Sequence, residues 1–197
     1  MNGNDGTAGS RENNEHENQN VGGLFTCNGG TYEIRAVIAT ITDRAAFLQN
    51  IQTIANAHNT HIICFNADML AGTRHAHMAL CHAVRSYTKE TMVSNTLEME
   101  ALLFAAGSRQ CSLAAPFGIH ERENHLYVCC YPNSDTVWDA LAPIIRVVDD
   151  AWSCIDSQKQ AYLMDLFTIT REELTTTNDD RLTDLILERI ALLEVYR

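Results

Sequence analysis

Two spacings of hydrophobic residues alternate along the first third of the chain, and they predict strands and a helix. Residues 32–41 (YEIRAVIATI) are β-branched and nearly alternating, as in a strand. Asp43 can N-cap a helix that runs to about residue 58 with apolar side chains at helical spacing. Residues 61–66 (HIICFN) are a short apolar run typical of a buried strand. This strand–helix–strand order predicts a crossover between two strands of one sheet.

The middle of the chain predicts two more helices and another strand. One helix covers residues 73–87, with small and apolar residues on its inner face. Another begins at Asn95, because Asn95 and Glu98 have the spacing of a capping box. Gly107 can end that helix in the left-handed conformation. Residues 126–131 (LYVCCY) then predict a strand.

The last third of the chain is mostly helical in pattern. Residues 135–148 look helical, although Pro143 must kink or divide them. Thr170 and Glu173 have the spacing of a capping box. One of the aspartates at 179–180 opens a final amphipathic helix.

These elements predict a single α/β domain over residues 24–197. It has a small mixed sheet of at least three strands, packed with several helices, and a helix-rich C-terminal region. Residues 1–23 are rich in Asn, Gly and Glu and are predicted to be a disordered tail. A chain of 197 residues is long enough for one hydrophobic core.

The charge distribution limits the functions that the chain can perform. The net charge is −11, and only residues 72–122 carry more basic than acidic residues. A general nucleic-acid binder needs many phosphate contacts from Lys and Arg. Any nucleic-acid binding is therefore expected to be confined to a local part of the surface and to be shared with a partner.

Cysteine usage and the absence of targeting segments predict where the protein acts. The seven cysteines are scattered, odd in number and without a CxxC pair, so reduced thiols are expected. The sequence contains no apolar run of membrane-spanning length and no signal-peptide pattern. We expect a soluble cytoplasmic protein with no membrane association, which in a eukaryote is also nuclear.

The densest group of metal-ligand residue types lies in the 73–87 helix. His77 and Cys81 are four residues apart and share a helical face, with His75 and His82 beside them. No further ligand follows at a typical spacing, and phosphate-loop, GxSxG and HExxH motifs are missing. We therefore expect no metal, no other cofactor and no enzymatic activity. A metalloenzyme that uses His75, His77 and Cys81 remains an alternative hypothesis.

Glu100 lies inside the apolar segment LEMEALLFAAG. A buried carboxylate needs a partner, because an unpaired buried charge costs several kcal/mol. Arg109 is the expected partner, since the chain turns just before it at Gly107. A general base with a raised pKa is the functional alternative.

The helix that begins near Asn95 presents free backbone N–H groups, which can bind a phosphate unless local side chains cap them. Lys89 precedes this helix start, and Arg109 and Gln110 follow the helix. Guanidinium and amide groups suit phosphates and unpaired base edges. These residues are therefore candidate nucleic-acid contacts.

Three stretches carry a family resemblance: FNADMLAGTRHAHMALCHAV, SNTLEMEALLFAAGSRQCSLAAPFGI, and LFTITREEL followed by LILERIALLEVYR. Together they resemble the kinase-binding subunit family of the KEOPS complex, its smallest, TPRKB-like subunit. The similarity runs in order from about Tyr32 to Arg197. The most specific stretch contains Asn95, Glu100, Gly107, Arg109 and Gln110. Thr168 stands where this family often has Gly, so the turn before the Ile-Thr pair is expected to differ.

The resemblance implies a non-catalytic subunit that acts in the biosynthesis of threonylcarbamoyladenosine in tRNA. Members of the family bind the small kinase/ATPase subunit of KEOPS directly. They reach the threonylcarbamoyltransferase subunit indirectly, through the kinase. Archaeal members also capture tRNA, including its 3′ CCA end, and single-stranded ends are readily recognised by side chains. An adaptor that binds the kinase without RNA is the alternative.

Two surfaces follow as hypotheses. The kinase surface is expected on the outer face of the 73–87 helix and on the apolar stripe of the last helix, at Leu182, Leu185, Ile186 and Arg189. The tRNA surface is expected in the segment that is not acidic, at Arg74, His75, Lys89, Asn95, Arg109 and Gln110.

Overall fold

Five strands form one sheet in the computed structural model, which describes residues 24–150, 152–175 and 181–195. The strands are β1 (Leu24–Cys27), β2 (Gly30–Ile41), β3 (His61–Asn66), β4 (Arg122–Tyr131) and β5 (Arg146–Val147). Their order is β1-β2-β4-β3, and β5 also pairs with β2. The predictions for residues 1–23 and for a helix start at 179–180 lie outside the described residues.

Eight helices accompany the sheet in the described part of the chain. They are α1 (Arg44–Ala57), α2 (Thr73–Thr88), α3 (Leu97–Ala105), α4 (Cys111–Ala114), α5 (Asp135–Leu141), α6 (Ser157–Leu166), α7 (Arg171–Thr175) and α8 (Arg181–Val195). The α/β class and the helix-rich C-terminal region are thereby confirmed. Among the described residues, no helix is both long and apolar enough to cross a membrane.

The sheet differs from the prediction in one respect. The β2–α1–β3 crossover is present, but β4 lies between β2 and β3 and runs antiparallel to both. Each hydrogen-bonded strand pair that the structure describes is therefore antiparallel, whereas a mixed sheet was predicted. Local sequence does not show that β4, a strand much later in the chain, inserts between β2 and β3, so the pairing could not be predicted from the crossover alone.

Helices cover both faces of the sheet, which explains the continuous apolar run of β3. Ile63 and Phe65 belong to the core that contains α2, α3 and α8. Ile62 and Cys64 pack in the second core, with α1 and α5. Because successive strand residues point to opposite faces, a strand between two helical layers is apolar at almost every position.

Two predicted helix ends are confirmed. The Asp43 side chain accepts a hydrogen bond from the N–H of Ala46 at 3.0 Å and caps α1. Gly107 has φ +57° just beyond α3, and the N–H of Ser108 donates to the carbonyl of Leu103 at 3.0 Å. This is the Schellman arrangement that a left-handed glycine permits.

The predicted start of α3 is wrong by one residue. Thr96 is the N-cap, and its hydroxyl accepts a hydrogen bond from the N–H of Met99 at 3.2 Å. Asn95 therefore lies outside the helix, and it does not form a capping box with Glu98. Thr and Asn both favour this position, so side-chain chemistry alone could not separate the two registers.

In the C-terminal region, the capping box of α7 is confirmed and one helix was missed. The N–H of Thr170 donates to Glu173 at 2.8 Å, and the N–H of Glu173 donates to the Thr170 hydroxyl at 3.3 Å. α5 ends at Leu141, two residues before Pro143, as expected from a dividing proline. The helix α6 was not predicted, because Leu163 is its one buried residue and its sequence has little periodicity.

Candidate functional site

Helices α2 and α3 lie side by side and are joined through a buried histidine. His75, in the first turn of α2, is fully buried. Its Nδ1 accepts a hydrogen bond from the N–H of Ala71 at 3.1 Å, and its Nε2 donates to the carbonyl of Ala105 at 2.9 Å. Burial lowers the pKa of His75 to about 4. The start of α2 is thus held against the end of α3 by a neutral imidazole.

Glu100 holds the segment that precedes α3. Its Oε2 accepts hydrogen bonds from the N–H groups of Val93 and Ser94 and from the Ser94 hydroxyl, each at 3.0 Å. The carboxylate is fully buried. It is therefore bound by the 93–94 segment rather than by Arg109 as expected. These contacts fix the backbone that presents Asn95 to solvent.

The predicted RNA contacts divide into two groups. Arg109 and Gln110 follow the end of α3, which is the end of the helix pair that also carries Arg74. Lys89 and Asn95 lie at the opposite end. Since α2 has 16 residues, the two ends are roughly 24 Å apart. All five are exposed, and Arg74 forms an ion pair with Asp184 at 3.1 Å. His75 is different, because its ring is buried and both nitrogens are engaged.

A groove of about 560 Å³ opens at the end that carries Asn95. It lies between α1, β3 and the start of α3, and it is lined by apolar side chains of α1 and α3 together with Arg44 and Asn95. Within it, His61 Nδ1 lies 2.8 Å from Glu98 Oε1. The exposed ring of Tyr87 contacts His61 edge-on at 5.4 Å between centroids. We name this feature the α1–α3 groove.

A second groove, of about 300 Å³, lies between the end of α6 and the outer side of α8. Its lining comprises Ala106, Gly107, Leu166, Phe167, Thr168, Arg189, Leu192 and Leu193. Thr168 has φ +54° here, a conformation that suits glycine better than a β-branched residue. This is the position at which the family resemblance leads one to expect Gly.

Solvent-exposed apolar side chains line the second groove at Leu166 and Leu192 and continue along α8 to Val195. Leu166 is 37% exposed, Leu192 41% and Val195 73%. Arg189 lies among them and is bound to Glu173 through a contact of 2.8 Å between Nη2 and Oε1. We name Leu166, Arg189, Leu192 and Val195 the α6–α8 surface.

The residues predicted to contact the kinase differ in their exposure to solvent. Leu182, Leu185 and Ile186 are buried in the core against α2 and α3, whereas Arg189 is partly exposed on the α6–α8 surface. An apolar helical stripe is compatible with either a core or an interface, so the pattern alone did not distinguish them. The exposed surface could have been predicted from Leu192 and Val195, which are apolar and lie outside the stripe.

The metal-site hypothesis is not supported by the arrangement of its three residues. Both nitrogens of His75 bind main-chain groups, and the ring of His77 faces the hydroxyl of Tyr32, with Nδ1 at 2.7 Å. Cys81 contacts the same hydroxyl at 3.3 Å. Within residues 24–150, 152–175 and 181–195, no three His, Cys, Asp or Glu side chains are grouped as a metal site requires.

The comparison with protein families agrees with the resemblance noted in the sequence. The matching family is described as kinase binding protein CGI-121. A comparison with curated proteins gives no match. The family match extends over residues 39–194, which include both grooves and the whole α2–α3 pair. The chain therefore belongs to the CGI-121 family of kinase-binding proteins, the family of the KEOPS kinase-binding subunits.

Proposed function

We propose that this protein is the non-catalytic, kinase-binding subunit of a KEOPS complex and acts in the biosynthesis of threonylcarbamoyladenosine in tRNA. It binds the kinase/ATPase subunit directly and reaches the threonylcarbamoyltransferase through that kinase. The observation that carries the proposal is the exposed apolar α6–α8 surface in a chain of a kinase-binding family. We further propose that it acts in the cytoplasm, and also in the nucleus of a eukaryote.

The α6–α8 surface has the composition of a docking site. Leu166, Leu192 and Val195 leave apolar area in water beside a groove, and complete burial of such a side chain contributes about 1.5–3 kcal/mol. Arg189 adds a guanidinium, and arginine is enriched at interface hot spots. The surface is carried by helices packed on the core, so binding requires little ordering of the backbone.

Calorimetry with the purified kinase subunit tests this proposal. The substitution Leu192→Asp is expected to weaken binding by more than about tenfold, because a charge would enter a desolvated apolar contact. The substitution Val147→Asp is the matched control, since Val147 is similarly exposed but lies on β5. Equal affinities for Leu192→Asp and Val147→Asp would remove the α6–α8 surface from the proposal.

The α1–α3 groove supports a second role, in binding the single-stranded 3′ end of a tRNA. Tyr87 offers an exposed ring on which a base can stack. Arg44 lines the groove and Lys89 follows the lining residue Tyr87 by two positions, so both can supply positive charge to a bound strand. The amide of Asn95 can bind a base edge. The net charge of −11 opposes strong binding by this subunit alone, so we propose that partners share the tRNA. An adaptor that works without RNA is the competing hypothesis.

A further inference from the structure

Two cysteines meet where the β1–β2 hairpin packs on α2. Cys27 is the last residue of β1, and its Sγ donates to the carbonyl of Cys81 at 3.5 Å. The hydroxyl of Tyr32 lies 3.3 Å from Cys81 Sγ and 2.7 Å from His77 Nδ1. Cys27 and Tyr32 are buried, whereas Cys81 is partly exposed. The sulfur of Cys81 therefore lies within hydrogen-bonding distance of the Tyr32 hydroxyl, in a residue that is partly exposed to solvent.

These contacts shift the pKa values of the two thiols in opposite directions. The neighbouring side chain of Cys27 lowers the pKa of Cys81 well below its usual range, with further contributions from His77 and Tyr32, and together they outweigh the opposing effect of burial. The pKa of Cys27 is raised, first by its hydrogen bond to Cys81 and then by burial. A thiolate is the reactive form of cysteine, so Cys81 has the properties of an attacking group and Cys27 those of its neutral partner.

We propose that Cys81 and Cys27 form a peroxide-sensitive pair that closes to a disulfide between β1 and α2. In the first step, the Cys81 thiolate attacks one oxygen of hydrogen peroxide, the O–O bond breaks, and a sulfenic acid and hydroxide are formed. In the second step, the sulfur of Cys27 attacks the sulfur of Cys81, and the sulfenic hydroxyl leaves with the Cys27 proton as water. The two cysteines lose two electrons in total, and the peroxide accepts them.

The other cysteines lack this combination of features. Burial raises the pKa of Cys64 to about 12 and raises that of Cys129 and Cys130 as well. Cys111 and Cys154 are exposed, and neither has a second cysteine in hydrogen-bonding contact in the described part of the chain. The reaction is therefore specific to Cys81 and Cys27. It lies on the hairpin side of α2 and goes beyond the proposed adaptor role.

Peptide mass spectrometry of the full chain after treatment with dilute hydrogen peroxide tests the pair. The expected product is a peptide pair that joins Cys27 to Cys81 and is absent after reduction. The substitution Cys27→Ser is expected to leave Cys81 as a sulfenic acid that dimedone traps, and Cys81→Ser is expected to leave Cys27 unmodified. Oxidation of Cys111 and Cys154 with no linked Cys27–Cys81 peptide would overturn the proposal.

The pH dependence of alkylation tests the thiolate itself without any oxidation step. With iodoacetamide, the rate constant of wild-type Cys81 is expected to change little between about pH 8 and pH 6, and free glutathione serves as the reference thiol. The substitution Tyr32→Phe keeps the ring and removes the hydroxyl. It is expected to raise the pKa of Cys81 and so to lower the alkylation rate of Cys81 at pH 6. The decrease reaches about tenfold if the pKa lies one unit above pH 6, because only about one thiol in ten is then ionised. A wild-type rate that falls with pH as steeply as that of free glutathione contradicts a thiolate at Cys81.

Discussion

The imidazole of His75 donates through Nε2 to the carbonyl of Ala105, and this contact joins the first turn of α2 to the last residue of α3. The Nδ1 of the same ring accepts from the N–H of Ala71. A ring that donates at one nitrogen and accepts at the other must be neutral. A second proton would place two donors, Nδ1–H and the N–H of Ala71, against each other.

Stability is therefore expected to fall in mild acid through His75. Its pKa is about 4 in the folded chain against an ordinary 6.5, so the unfolded chain takes up the proton first as the pH falls. The contribution of His75 is fully present above about pH 6.5 and is lost towards pH 4, by about 3 kcal/mol in total. Urea denaturation at a series of pH values measures this. The variant His75→Gln is expected to show a flatter dependence between pH 6.5 and 5. The same slope in both proteins would exclude His75 as the cause.

Removal of the Glu100 carboxylate is expected to destabilise the fold strongly. The substitution Glu100→Ala leaves the N–H groups of Val93 and Ser94 without this acceptor, at a cost of about 3 kcal/mol. Glu100→Gln keeps one carbonyl acceptor and is expected to cost less. Urea denaturation gives both values. A loss below about 0.5 kcal/mol for Glu100→Ala, the range of ordinary surface changes, would show that these hydrogen bonds are not important.

The turn before α7 is expected to gain stability from glycine. Thr168 has φ +54°, and a residue with a Cβ is disfavoured there by about 1–2 kcal/mol. The substitution Thr168→Gly removes this strain but adds flexibility to the unfolded chain, so a net gain of up to about 1 kcal/mol is expected. Thr168→Ala is the control, because alanine keeps the Cβ. Equal free energies of unfolding for the two variants would mean that φ is not the source of the effect.

Local signals in the sequence predicted much of the fold. Asp43, Gly107 and the Thr170–Glu173 pair act through neighbours within a few residues, so their chemistry is readable without the tertiary structure. The β1–β2 hairpin was missed, although its turn residues Asn28 and Gly29 both have positive φ and Asn-Gly is a strong hairpin signal. The insertion of β4 between β2 and β3 depends on long-range pairing, which no local pattern contains.

The candidate site was less predictable than the fold, for a physical reason. Ile186 and Leu192 both lie on α8 and are both apolar, yet the first is fully buried and the second is exposed. Only the packing of α8 against α2 and α3 determines that Ile186 is buried and Leu192 is exposed. In the same way, His75 lies beside Arg74 in sequence but points into the core, because the helix turns by about 100° from one residue to the next.

Charge reversal at the α1–α3 groove tests the proposed RNA contact. The substitution Lys89→Glu is expected to weaken tRNA binding by the assembled complex and to flatten its dependence on salt. Arg146→Glu makes the same change of charge on β5, away from the groove, and is the matched control. Filter binding at several salt concentrations measures both. Equal effects of the two substitutions would indicate a response to net charge and would favour the adaptor that works without RNA.

Hydrogen–deuterium exchange of the chain, with and without its kinase partner, locates the surface at which the kinase docks. We expect slower exchange in the kinase complex at 162–168 and 186–195, which contain the α6–α8 surface, and little change in α1 and at the start of α3. Slower exchange confined to the α1–α3 groove, with none along α8, would contradict kinase docking at the α6–α8 surface.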